Sequence, residues 1–201
     1  MIHTVIVPGV GGSESQHWQS WLQGQLMSCS RVQQYDWHRP ILKYWVQRFV
    51  DTISSISDEI QIVAHSFGCL TTVAALAQHP ELHAKIKNLV LVAPANPARF
   101  GDQGFARHSQ NDYHDYFHNL KLNVPTQLLI SENDPWLDFQ DAQNLAIAWQ
   151  LRPINLGQVG HINVASGFGA FPKIFDYLLP ETRRSYISIS DDEKYFFKFA
   201  I

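Results

Sequence analysis

A layered α/β domain built on a parallel sheet is the fold class this chain predicts, and three observations carry it. Residues 2–7, 60–64, 89–93 and 126–130 are β-rich runs with continuous rather than alternating apolar stretches, the pattern of strands covered on both faces. Turn signals and helically spaced segments follow them, the rhythm of strand–helix–strand units with right-handed crossovers. With 45% hydrophobic and 16% charged residues over 201 positions, the chain can bury one large core and is not compositionally disordered.

The elements follow in order. Residues 2–7 form a strand broken by Pro8-Gly9-Val10-Gly11-Gly12. Ser13 or Ser15 can cap a helix reaching to Met27, with Trp18, Trp21, Leu22 and Leu26 on one face. Residues 32–35 read as a short strand. Pro40 suits a first helical position, and Ile41, Tyr44, Trp45, Phe49 and Ile53 continue at helical spacing. The strand at 60–64 runs straight into His65-Ser66-Phe67-Gly68 and a small, apolar helix over 69–78. Pro94 ends the strand at 89–93. Residues 96–120 break the pattern with Phe100, Phe105, His108, Tyr113, His114, Tyr116, Phe117 and His118. They read as an insertion at the carboxyl edge of the sheet or, equally, as a connecting helix with an irregular lead-in. A strand at 126–130 ends in Ser131-Glu132-Asn133-Asp134-Pro135. A helix at 141–149, a short strand at 154–156 and a helix at 170–179 complete a domain over 1–180. The aromatic segment 181–201 is set apart as a C-terminal extension.

Composition narrows the function classes. The formal net charge is −3, which supplies no basic excess for nucleic acid or anionic lipid. No apolar run approaches the ~20 residues of a membrane span, and the N-terminus lacks the features of a signal peptide. Cys29 and Cys69 are the only cysteines; they make neither a metal spacing nor a disulfide framework, so a reducing, cytoplasmic setting is expected. Gly9-Val10-Gly11 offers part of a dinucleotide-binding turn, but Glu14 stands where its third glycine belongs and Pro8 removes an N–H. No metal or cofactor is expected, and the chemistry falls to side chains.

Ser66 is the sharpest signal. A strand, Ala64-His65-Ser66-Phe67-Gly68, then a helix is the context of a nucleophile elbow, where a tight turn projects the serine above the sheet. Small residues are needed two before and two after, and Ala64 and Gly68 comply. The plainer alternative is a serine capping the helix. A serine hydroxyl needs a base, and His161, in Gly160-His161-Ile162-Asn163, is the last histidine of the chain. An acid must orient that imidazole; Asp134 follows a strand end directly and precedes Pro135, whereas Asp138 and Asp141 suit the start of the next helix. The two backbone N–H groups that would hold an oxyanion are assigned to Phe67 and to Val10, with Gly11 as the second choice in that loop. Gly9, Gly11, His17, Trp18, His65 and Trp136 are candidates for lining the substrate site. His65 should point away from the serine hydroxyl, the Trp18 ring suits core packing beside Trp21 better than lining, and Trp136 equally suits covering the next helix.

At these residues the chain resembles the small serine hydrolases of the α/β-hydrolase superfamily that include the retinoblastoma-binding protein hydrolases and their bacterial relatives. Val7-Pro8-Gly9, Ser15-Gln16-His17-Trp18, Ala64-His65-Ser66-Phe67-Gly68, Asn133-Asp134-Pro135 and Gly160-His161-Ile162-Asn163 carry the resemblance, which spans residues 2–180. It implies a compact domain without the first antiparallel strands and with little or no cap, a triad of Ser66, His161 and Asp134, and hydrolysis of small esters or amides. The fold expected is then six parallel strands in the order 2-1-3-4-5-6 with helices on both faces. The expected partner is a small ester or amide, and a homo-oligomer is compatible with the sequence. Two other readings stand beside it. One is a peptidase acting on short peptides or amino-acid esters. The other is an interaction module with a vestigial triad, motivated by the aromatic segments 96–120 and 181–201.

Overall fold

In the computed structural model, which describes residues 2–179, six strands form one sheet: β1 (Ile2–Val7), β2 (Cys29–Arg31), β3 (Glu59–Ser66), β4 (Ile86–Pro94), β5 (Thr126–Ile130) and β6 (Ile154–Asn155). Their order is β2-β1-β3-β4-β5-β6, and every pairing is parallel. The helices are α1 (Trp18–Gln25), α2 (Leu42–Ser54), α3 (Phe67–Gln78), α4 (His114–His118) and α5 (Phe139–Ala148). The segment 181–201 lies outside the described residues.

The continuous apolar strands are explained by two cores, one on each face. Val5, Val7, Ile60, Ile62, Ala64, Leu89, Leu91, Leu128 and Ile130 point to the face covered by α2, α3 and α5. Ile6, Val63, Val90, Val92 and Leu129, at the intervening positions, point to the face covered by α1 and the end of the described chain. This is the period of two that a strand imposes. Side chains such as Phe49, Leu70 and Leu89 are wholly buried, each contributing about 1.5–3 kcal/mol.

Three expectations shift. The second strand is Cys29–Arg31, not 32–35. Val32 still donates its N–H to the Ile6 carbonyl (2.9 Å) and is buried, but the chain then leaves the sheet for a turn in which Asp36 Oδ1 accepts from the N–H groups of His38 and Arg39. The first helix starts at Trp18 and ends at Gln25, capped by His17, whose Nδ1 accepts the Gln19 N–H (3.1 Å). Ser13 instead donates to Gln19 Oε1 (2.7 Å), and Gln19 donates onward to the Val7 and Val63 carbonyls. The last segment is a 3-10 turn, Pro172–Tyr177, rather than a full helix over 170–179. The chain is pulled back to the sheet at once: the Tyr177 carbonyl accepts from Asn88 and Gln127, and the Leu179 N–H donates to Gln61 Oε1 (2.8 Å).

Residues 96–120 form an insertion at the carboxyl edge of the sheet. After β4 the chain makes a short turn (Pro97–Arg99), a two-residue hairpin (Phe100–Gly101 with Gly104–Phe105), a second turn (Ala106–His108) and α4. Phe100 and Phe117 anchor it in the core under α3 and α5.

Candidate active site

β3 ends at Ser66 and α3 begins at the next residue. Ser66 therefore takes φ 55°, ψ −126°, a conformation that costs a non-glycine residue on the order of 1–3 kcal/mol. Two glycines make room. A Cβ on Gly9 would come within 2.7 Å of Ser66 Cβ, and one on Gly68 would overlap the carbonyl oxygens of Val7 and Pro8. Ala64 is fully buried at the core-facing position, so its methyl group is absorbed by packing. Ser66 makes no side-chain cap on α3, which removes the plainer explanation for the serine.

Its hydroxyl is aimed elsewhere. Ser66 Oγ lies 2.9 Å from His161 Nε2, and His161 Nδ1 lies 2.7 Å from Asp134 Oδ2. With Nδ1–H donating to the carboxylate, Nε2 is the free acceptor for the serine proton. The His161 and Asp134 side chains are only 7% and 4% exposed, so bulk water does not compete for this contact. Asp134 Oδ1 also accepts the Trp136 N–H (2.8 Å), which fixes the carboxylate plane.

The loops carrying the acid and the imidazole are stitched together. Gly160 N–H donates to Asn133 Oδ1 (2.7 Å), Val159 N–H to Ser131 Oγ (3.2 Å) and Glu132 N–H to the Gly157 carbonyl (2.9 Å). His161 N–H donates to Ser166 Oγ (3.0 Å), and a Cβ on Gly160 would collide with that hydroxyl. Asn133 and Ser166 thus position the loop. Their only sequence signal is a small polar residue beside a strand end or a glycine turn, which is too common to single out.

His17, Trp18 and His65, candidates for lining the substrate site, lie behind it. They are 4%, 0% and 4% exposed. Trp18 Nε1–H donates to the Ile162 carbonyl (2.7 Å) and His65 Nε2–H to the His161 carbonyl (2.9 Å). The ring centroids of His17 and His65, and those of His65 and His161, are 4.9 Å apart. Burial holds His65 well below the usual histidine range, and the neighbouring His161 and His17 act in the same direction. Burial, with Arg31 and His161 adding to it, brings His17 down to about 4. Both are neutral imidazoles behind His161. The reason is the strand period: neighbours of Ser66 along β3 face the opposite side of the sheet. Gly9 packs under Ser66, and Gly11 spends its N–H on the Trp37 carbonyl (3.0 Å).

In front of Ser66 opens a cavity of about 270 Å³. Trp136, a lining candidate, and Val10, assigned to the oxyanion hole, border it together with Ala95, Asn96, Arg99, Phe100, Phe105 and Asn163. Asn96, Arg99, Phe100 and Phe105 come from the insertion. Phe100 and Phe105 stood out in the sequence as aromatics, but nothing local distinguishes a cavity wall from core. Cys69 lies inside α3, its thiol pushed up by burial, and does not reach this space. Among the described residues no cluster of three or more His, Cys, Asp or Glu could hold a metal ion, and no helix is long and apolar enough to cross a membrane.

Known proteins share this fold. A crystal structure of a YdeN-like hydrolase from Pectobacterium atrosepticum superposes with a TM-score of 0.74 at 31% identity, covering 88% of both chains. The ydeN gene product of B. subtilis superposes at 0.67, with 19% identity over 88% of this chain and 96% of that one. Est1E from Butyrivibrio proteoclasticus, solved with ferulic acid bound, shares the fold at 0.61, with 16% identity over 83% and 86%. No curated protein matches the chain. The family model for serine hydrolases matches residues 4–179, and the chain belongs to that family.

Proposed function

We propose that this protein cleaves small carboxylic esters, and amides of similar size, through a covalent acyl intermediate on Ser66. The observation that carries the proposal is the continuous contact from Ser66 Oγ through His161 to Asp134 at the floor of an open cavity. In the first step His161 Nε2 takes the hydroxyl proton while Ser66 Oγ bonds to the substrate carbonyl carbon, whose π electrons move to the oxygen. The Phe67 N–H, at the positive end of α3, holds that oxyanion. The second donor is Val10, because Gly11 and Gly12 donate to the Trp37 and Gly9 carbonyls (3.0 Å each). Collapse expels the alcohol, protonated by His161 Nε2. Water, deprotonated by the same nitrogen, then releases the acid.

The modest cavity volume supports a small substrate, since drug-sized ligands occupy roughly 300–1,000 Å³. Cys29 and Cys69 are free thiols, consistent with a cytoplasmic setting. The test is labelling by a fluorophosphonate with intact-mass readout. One adduct on the wild type, absent from Ser66→Ala, supports the mechanism; adduct formation that survives Ser66→Ala overturns it. Rates on matched esters and amides then separate an esterase from a peptidase.

A further inference from the structure

The wall of the cavity in front of Ser66 carries a single charge. Arg99 lines it, and among the described residues no Asp or Glu does, in a chain whose overall charge is −3. The Arg99 guanidinium sits over the Trp136 ring, 4.4 Å from its centroid. That contact uses the ring's negative face and holds the long side chain in place without consuming its N–H donors. Among the described residues no carboxylate pairs with Arg99, and its side chain makes no hydrogen bond. Asn163 adds a second donor. Its Oδ1 accepts both the N–H and the hydroxyl of Ser166 (3.1 and 3.0 Å), so what it offers the cavity is its NH₂ group. Trp136 also meets the His161 ring edge-on, with centroids 6.4 Å apart, which places the cation one ring away from the reacting histidine.

A cavity with aromatic walls, an unpaired guanidinium, an amide NH₂ and no carboxylate selects an anion carried on a small carbon skeleton. Resting on the hydrolase reading above, we infer that the preferred substrates are esters or amides that also bear a free carboxylate, such as half-esters of short dicarboxylic acids, and that Arg99 is the residue that recognises this carboxylate. The planar fork of Arg99 matches a carboxylate, and one cation balances one such charge.

The experiment has two independent arms. In the first, binding of monomethyl glutarate and of dimethyl glutarate to Ser66→Ala is titrated by NMR, with and without Arg99→Gln. The half-ester is expected to bind about tenfold more tightly than the diester, and Arg99→Gln is expected to erase the difference. Equal affinities, or a difference that persists in Arg99→Gln, overturn the inference whether or not the protein is a hydrolase. In the second arm, kcat/KM is measured for the mono-4-nitrophenyl and the 4-nitrophenyl methyl esters of glutaric acid. The wild type should favour the former about tenfold through KM, and Arg99→Gln should lose that preference. Arg99-dependent binding without turnover supports carboxylate recognition and counts against the hydrolase reading. Turnover without preference does the reverse.

Discussion

Behind His161, the wall made by His17, Trp18 and His65 is closed: each side chain is at most 4% exposed, and the Trp18 and His65 ring N–H groups are spent on the carbonyls of Ile162 and His161. In front of it, the wall made by Arg99, Phe105 and Trp136 is open. Trp136 is 46% exposed, and the Arg99 donors engage nothing among the described residues. Both walls use aromatic and basic side chains within reach of the same imidazole. The difference is whether the polar atoms are satisfied inside the protein. A buried donor already paired acts through position and stability, because breaking its pair strands the partner. An unpaired donor at a cavity acts through what it binds. Substitutions behind should therefore move kcat and stability together, and substitutions in front should move KM and selectivity.

The largest effect is expected where the walls meet. Ser66→Ala should lower kcat by on the order of 10⁴- to 10⁶-fold and Asp134→Asn by about 10⁴-fold, the scale on which triads respond to loss of the nucleophile or of the tautomer-fixing acid. Thermal midpoints of both variants should stay within a few degrees of the wild type. A drop of tenfold or less in Asp134→Asn would mean that the His161–Asp134 contact (2.7 Å) is structural, and the comparison would lose its reference point.

A pH titration of stability probes the closed wall. His17 sits at about 4 in the folded protein and near 6.5 when exposed. Between those values the unfolded chain binds more protons, so stability is full above about pH 6.5 and falls as pH drops toward 4. His65 adds in the same direction, since it too is held low by burial. His17 alone should cost about 3 kcal/mol across that window. His17→Asn keeps a helix-capping oxygen in place of Nδ1 and should flatten the slope of denaturation midpoint against pH. Arg99→Gln, in the open wall, should leave the slope as it is. An unchanged slope in His17→Asn would show that this histidine is not held neutral.

Trp18→Phe is the next step down. It keeps the ring but strands the Ile162 carbonyl, at a cost of about 1–3 kcal/mol. Because that carbonyl adjoins His161, kcat should fall several-fold with KM little changed. A change confined to KM would place Trp18 functionally with the open wall.

The same contrast explains what could be read from the sequence. The parallel strands and the contact from Ser66 to His161 and Asp134 were legible because each rests on a local rule: continuous apolar strands, a small residue on either side of the elbow, an acid at a strand end, and a last histidine after a glycine; the strand order followed from the family resemblance. Of the two walls, Trp136 stood among the expected lining residues and His65 was expected to point away from the serine hydroxyl, but Arg99, Phe105 and the burial of His17 left no local signal. His17, Trp18 and His65 look like site residues because they neighbour site residues in the chain, yet the strand period turns His65 to the far face, and α1 buries its first turn there. Arg99 lies far from every motif and enters the site only through the path of residues 96–120, which is set by Phe100 and Phe117 packing under α3 and α5. Tertiary packing of that kind leaves no short pattern. The late start of α1 is a similar case, since Ser13 offers a cap but is taken by Gln19 Oε1.

The smallest effect is expected at Phe105, and it tests the open wall most directly. Phe105 stacks on Phe100 with centroids 5.5 Å apart, and the Arg107 guanidinium lies over the Phe105 ring, 5.6 Å from its centroid. It is half-buried and also borders a second surface cavity lined by His38, Arg39, Arg107 and His108. Truncating it removes contacts on one side only and should cost stability no more than about 1–2 kcal/mol, less than a core phenylalanine. It should also join the two cavities. In Phe105→Ala the acyl length giving the best kcat/KM in a series of 4-nitrophenyl esters is expected to move up by two or more carbons, while kcat on the acetate ester stays within about twofold of the wild type. If instead the acetate rate collapses and the preferred length is unchanged, Phe105 works as the closed wall does, by holding the site in shape, and the division between walls must be drawn at Trp136 rather than along the insertion.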